Sequence, residues 1–132
     1  MKLLRRILKT QAVLWAAWGL SAIVVPRWVV ETVMRQPALS DPVWLRTIGV
    51  MSVVLALLMA LVSQKLEDVW WWSWAFAVLQ IGAATVFVLH ALVDLPDGAS
   101  AWPWWAMGAA GALLGGGLLF GMAEAGQEKP FV

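Results

Sequence analysis

Hydrophobic and polar positions fall in long blocks along this chain rather than alternating. Four apolar stretches stand out, at about residues 7–25, 43–62, 69–93 and 102–122. Each is close to the ~20 residues that a helix needs to cross ~30 Å of hydrocarbon. Water is absent from a bilayer core, so each stretch must satisfy its own backbone as a helix. The pattern predicts an all-α membrane protein, a four-transmembrane-helix bundle forming one integral membrane domain over residues 1–132.

The polar breaks carry helix punctuation. Ser40-Asp41-Pro42 supplies a capping side chain followed by a proline suited to a first turn. Ser100 with Pro103 does the same for the fourth span. Gln64 to Asp68 is a short polar hinge, which predicts that spans two and three are antiparallel neighbours. Pro96-Asp97-Gly98 is a turn signal.

One stretch fits neither class. Arg27, Glu31 and Arg35 recur every fourth residue after Pro26, so they line one helical face and can pair. Apolar residues fill the other positions. Residues 27–36 therefore read as a short amphipathic helix lying in the membrane interface. A tilted extension of span one is the alternative. Lys2, Arg5, Arg6 and Lys9 before the first apolar run resemble a signal sequence, but no small-x-small cleavage site follows cleanly. The expectation is a retained first span.

Composition adds the class and the orientation. The chain is 62% hydrophobic and 13% charged, with a mean hydropathy of +0.80. That leaves too little polar surface to cover a water-soluble globule. There are eleven tryptophans and no tyrosine. Most of the indoles collar the apolar runs, as interfacial anchors do. A net charge of +1 gives no footprint for a nucleic-acid partner. The absence of cysteine excludes disulfides and thiolate metal sites.

Six lysines and arginines (Lys2, Arg5, Arg6, Lys9, Lys65, Lys129) fall on one side of the predicted topology and three (Arg27, Arg35, Arg46) on the other. This bias predicts that both termini are cytoplasmic. Trp28, Trp44, Trp102, Trp104 and Trp105 then form an outer collar, and Trp70, Trp71, Trp72 and Trp74 an inner one. Trp15 and Trp18 are left outside both.

Candidate chemistry is sparse. Gln80 is the main polar group at mid-depth in span three, on a face with Ser73, Ala77, Ala84, Ala91 and Asp94. It is expected to hydrogen-bond another helix, with a polar contact to a ligand as the alternative. His90, the lone histidine, lies on a different face near the outer boundary, with Asp94 four residues on. An interfacial histidine tied to Asp94 or to lipid headgroups is the plain reading. An axial ligand to a haem or bacteriochlorophyll is the sharper one, with Trp18 lining a pigment or quinone site. In span four Gly111, Gly115, Gly116, Gly117 and Gly121 strip side chains from much of the helix. They predict tight helix packing or contact with a partner chain. Gly49, Ser52, Ala56, Ala60 and Ser63 form a packing seam on span two. Arg46 is expected to snorkel outward or meet Asp94 or Asp97. No known catalytic motif and no metal-ligand set occurs, so no cofactor is required.

Pro26-Arg27-Trp28 and Trp44-Leu45-Arg46-Thr47-Ile48-Gly49 give a proline exit into an amphipathic stub, then a span opening with arginine and glycine. In this first half the chain loosely resembles small bacterial four-helix membrane proteins of the DoxX-like type. The tryptophan blocks and the triple glycine depart from that family. Some of its members are linked to quinone-dependent sulfur oxidation. The residues themselves favour a non-catalytic accessory or scaffold subunit of a bacterial inner-membrane complex, an energy-converting one included. Its partners would be the lipid bilayer and other membrane subunits or further copies of itself. A hydrophobic cofactor binder (haem, bacteriochlorophyll or quinone) and a small oligomeric transporter or channel are the competing readings.

Overall fold

The computed structural model describes residues 1–129. These hold α1 (Lys2–Val24), a π-helical turn (Trp28–Val33), α2 (Val43–Gln64), the short α3 (Leu66–Val69), a 3₁₀ turn (Trp70–Trp72), α4 (Ser73–Val93) and α5 (Trp102–Glu128). No strand occurs among the described residues. Four helices are long and apolar enough to cross a membrane: α1, α2, the run Leu66–Val93 and α5.

The helices exceed the apolar stretches at their polar ends. α1 starts at Lys2 and α5 runs to Glu128. Hydropathy marks only the apolar window, whereas the helix continues wherever one face stays packed. Leu4 and Leu8, amid the basic residues of α1, are fully buried, and so is Ala125 near the end of α5.

Met1, Lys129 and the α2–α4 junction share one end of the bundle. Arg5 lies 3.4 Å from Glu67, and Lys129 lies 3.3 Å from the same carboxylate. The Met1 amine meets Glu128 at 2.8 Å. The core concentrates toward this end, where Leu4, Leu8, Met59, Leu66 and Leu118 are wholly buried.

The pairing order differs from the sequence expectation. α2 and α4 make little direct contact. The main pairs are α1 with α2 and α4 with α5, and the two pairs meet along α1 and α5. Glycines explain the choice. A Cβ on Gly19 would sit 2.6 Å from the Gly49 carbonyl oxygen, and one on Gly49 would sit 2.7 Å from the Gly19 carbonyl oxygen. The two backbones can approach this closely only because both side chains are absent. Ser52, Ala56 and Ser63 continue that seam as buried positions. On α5, Gly108, Gly111 and Gly115 receive Val88, Ala84 and Ile81 of α4. The polar hinge, meanwhile, leads into α3, and the 3₁₀ turn follows before α4 begins.

The expected interfacial helix over 27–36 is replaced by the π-helical turn and a tight exit. Met34 N–H bonds the Val29 carbonyl at 2.9 Å, the five-residue spacing of a π turn. The wider turn breaks the four-residue register of Arg27, Glu31 and Arg35. No ion pair joins them among the described residues; Glu31 instead accepts the Leu39 N–H at 2.9 Å. Arg35 takes a left-handed φ of 50°, and its carbonyl accepts the Ser100 N–H at 3.1 Å.

The helix starts follow their punctuation in part. Asp41 Oδ1 accepts the Val43 N–H at 3.0 Å at the head of α2. Pro103 sits in the first turn of α5, but Ser100 supplies no side-chain cap there. The turn at Pro96 closes through Ala99 N–H to the Pro96 carbonyl at 3.1 Å, with Gly98 at φ 80°, a conformation that costs glycine no Cβ clash.

Candidate functional site

The stripe Leu4, Leu8, Gln11, Trp15, Trp18 and Ala22 recurs along α1 at alternating steps of four and three. That spacing keeps one face of the helix turned to its neighbours. In α4, Ser73, Ala77, Gln80 and Ala84 form the buried face. The two stripes bring three polar side chains together at mid-height. Gln11 Nε2 donates to Gln80 Oε1 at 3.0 Å, and Trp15 Nε1 donates to the same oxygen at 3.1 Å. Gln11 is fully buried and Gln80 keeps 8% exposure. The Gln11 carbonyl oxygen is buried without a hydrogen-bond partner, as is the Ser73 hydroxyl.

Gln80 therefore bonds across helices, and its partners lie on α1. Trp15 is accounted for by its indole N–H. Trp18, one turn further on, is half-buried. No hydrogen bond reaches it among the described residues.

His90 sits in a second cluster at the end opposite the termini. Its ring meets Trp104 edge-on, with centroids 4.5 Å apart, and Phe87 meets the same indole at 5.8 Å. Trp104 Nε1 donates to Gln36 Oε1 at 3.1 Å, and Gln36 Nε2 donates to the carbonyls of Met34 at 2.7 Å and Ser100 at 2.9 Å. The side-chain pairing of His90 with Asp94 does not form; only the Asp94 N–H bonds the His90 carbonyl, at 3.2 Å. Asp94 lies beyond the last helical turn of α4, at φ −116°. Arg46 joins no ion pair with Asp94 or Asp97 among the described residues.

Trp104 is thus turned inward as a strut between the two helix pairs instead of standing free in a collar. Trp70 likewise is buried, while Trp71, Trp72, Trp74, Trp102 and Trp105 are exposed. A 3₁₀ turn advances three residues per turn, so three successive indoles cannot share one face. One goes inward and two outward.

The span-four glycines divide by direction. Gly111 and Gly115 pack on α4, with a Cβ reaching 2.9 Å from Ala84 Cβ and 2.6 Å from Ile81 Cγ1. Gly117 and Gly121 pack on Ile7 and Leu4 of α1. Gly116 meets nothing within 4 Å, and neither does Gly82 on α4. Gly116, Ala112 and Gly108 line one wall of an open apolar groove of about 380 Å³ whose other wall includes Ile81, Thr85 and Leu89. His90 does not line this groove. Among the described residues no group of three or more histidine, cysteine or carboxylate side chains converges as a metal site.

The described residues define a class: an all-helical protein with four helices long and apolar enough to span a membrane, a glutamine–tryptophan cluster between them and an uncovered small-residue groove. Compared with known proteins, the chain matches no family model, no curated protein and no solved structure.

Gln36 and Trp104 are the residues that sequence reasoning passed over. Gln36 ends the amphipathic segment after its charged positions, and an indole near a span end reads first as an anchor. No single segment carries a signal for this pair, because Gln36 and Trp104 lie 68 positions apart.

Proposed function

We propose that this chain is a non-catalytic accessory or scaffold subunit of a bacterial inner-membrane complex, crossing the bilayer four times with both termini in the cytoplasm. The observation that carries it is the uncovered groove whose α5 wall is Gly108, Ala112 and Gly116, with open space beside Gly116. A glycine inside a helix costs about 1 kcal/mol relative to alanine. Gly19, Gly49, Gly111 and Gly121 offset that cost by letting other helices approach. Gly116 has no such return within the chain, and a helix of another subunit laid into the groove would supply one. Only 22–28% of each candidate span is buried inside the chain, so ample apolar surface is left for a neighbour. The lysine and arginine bias supports the orientation.

The test is purification from the native membrane in mild detergent. Partner subunits should stay with the wild-type chain and be lost with Gly116→Leu. Recovery of a stable lone monomer from the wild-type strain would overturn the reading.

A further inference from the structure

The hydrogen-bond chemistry of the Gln11–Trp15–Gln80 cluster is incomplete in a specific way. An indole N–H only donates. The Gln80 atom that Trp15 meets at 3.1 Å must therefore be the carbonyl oxygen, which fixes the orientation of that amide. The Gln11 atom that meets the same oxygen at 3.0 Å must then be its N–H₂. Turning the Gln11 amide over would set two carbonyl oxygens against each other. The Gln11 side-chain carbonyl is thus left buried and without a donor. At the same time no hydrogen bond leaves the Gln80 amide N–H₂ among the described residues, and Gln80 retains 8% exposure. One acceptor and at least two donors are unspent at mid-height of apolar helices. Leaving the carbonyl bare costs about 1–3 kcal/mol, and no ionisable group stands in the cluster to relieve it.

We propose that this cluster binds one hydroxylic guest, an O–H group that donates to Gln11 Oε1 and accepts from the Gln80 amide. A water needs two to four polar partners of this kind, and a buried site that offers them holds it tightly. The phenolic or alcoholic head of a lipid-soluble molecule offers the same chemistry. Trp15 is half-buried and Gln80 keeps 8% exposure, so the Trp15–Gln80 side of the cluster is the route from the bilayer. A purely apolar guest, or a carbonyl without a hydroxyl, does not satisfy Gln11 because it brings no donor.

The experiment is water-edited NMR on the ¹⁵N-labelled full chain in lipid nanodiscs, read at the glutamine side-chain amides. For the water guest, magnetisation from water protons reaches the Gln80 side-chain amide but not the buried backbone amide of Ala84. That transfer is lost in Gln11→Met. For the lipid-soluble guest, the Gln80 amide instead shows contacts to non-exchanging protons. An organic extract of the purified protein then contains a hydroxylic compound in amounts matching the chain, depleted in Gln11→Met. Absence of both signals in the wild-type protein overturns the proposal. That wild-type measurement stands even if Gln11→Met fails to fold.

Discussion

Gln80 joins α4 to α1 through a single carbonyl oxygen that serves two donors. Such a shared acceptor makes the three residues unequal. Gln80→Leu strips the partner from both Gln11 Nε2 and Trp15 Nε1, whereas Gln11→Leu removes one donor together with a carbonyl that no protein group pairs. Each unpaired buried group costs about 1–3 kcal/mol. Gln80→Leu should therefore destabilise the chain by more than Gln11→Leu. The double variant should cost less than the sum of the singles, since Gln11 is no longer left unpaired. Unfolding in a graded detergent mixture, followed by tryptophan fluorescence, reads both quantities. Additive effects would show that the three side chains do not act together. The polarity and depth of Gln80 were legible in the sequence, because a glutamine inside an apolar run has few options. Which helix would answer it was not, since Gln11 and Trp15 lie 69 and 65 positions away.

At the scale of the element, the glycines divide into those that other helices use and those that they do not. Gly19 and Gly49 face each other's carbonyl oxygens, and backbone cannot yield as a flexible side chain does. Gly19→Ala should cost about 1–3 kcal/mol and loosen α1 from α2. Gly82→Ala, with open space around its Cβ, should leave the isolated chain unchanged or raise its stability by up to about 1 kcal/mol. Thermal unfolding of the two variants in one detergent makes the comparison. Equal destabilisation by both would contradict the division. Counting small residues in span four located the glycine-rich helix but did not sort its faces. Gly115, Gly116 and Gly117 are consecutive, yet they meet Ile81, open space and Ile7 in turn. The segment after Pro26 failed for a related reason. A four-residue charge spacing implies one face only in an α-helix, and the π-helical turn there has a different period.

For the whole molecule, the two helix pairs are tied at both ends by different means. At the end with the termini, Glu67 draws in Arg5 and Lys129, all three substantially exposed. Exposed pairs of this kind contribute about 0–1 kcal/mol and are screened by salt. At the other end, Gln36 takes three hydrogen bonds that connect the π-helical turn, the loop before α5 and Trp104. Glu67→Gln should have a small effect that vanishes at high salt. Gln36→Leu should cost about 1–3 kcal/mol at any salt concentration and should speed hydrogen exchange at the Ser100 amide. Unchanged protection of that amide would remove Gln36 from its role as the tie.

The sequence by itself determined that there are four long apolar helices, nearly where each lies, and where turns interrupt them. Those properties are local: apolar length, proline and glycine punctuation, and small-residue periodicity within one helix. Only the tertiary structure decided that α1 pairs with α2, α4 with α5, and α1 with α5. It also decided that Trp104 and Trp70 turn inward, and that Gln80 meets α1. The physical reason is that lipid is as apolar as a buried leucine, so hydropathy cannot tell a lipid-facing position from a helix-facing one. The choice of neighbour rests instead on close backbone approach at a few glycines and on a few long-range hydrogen bonds, and neither is written in any single segment.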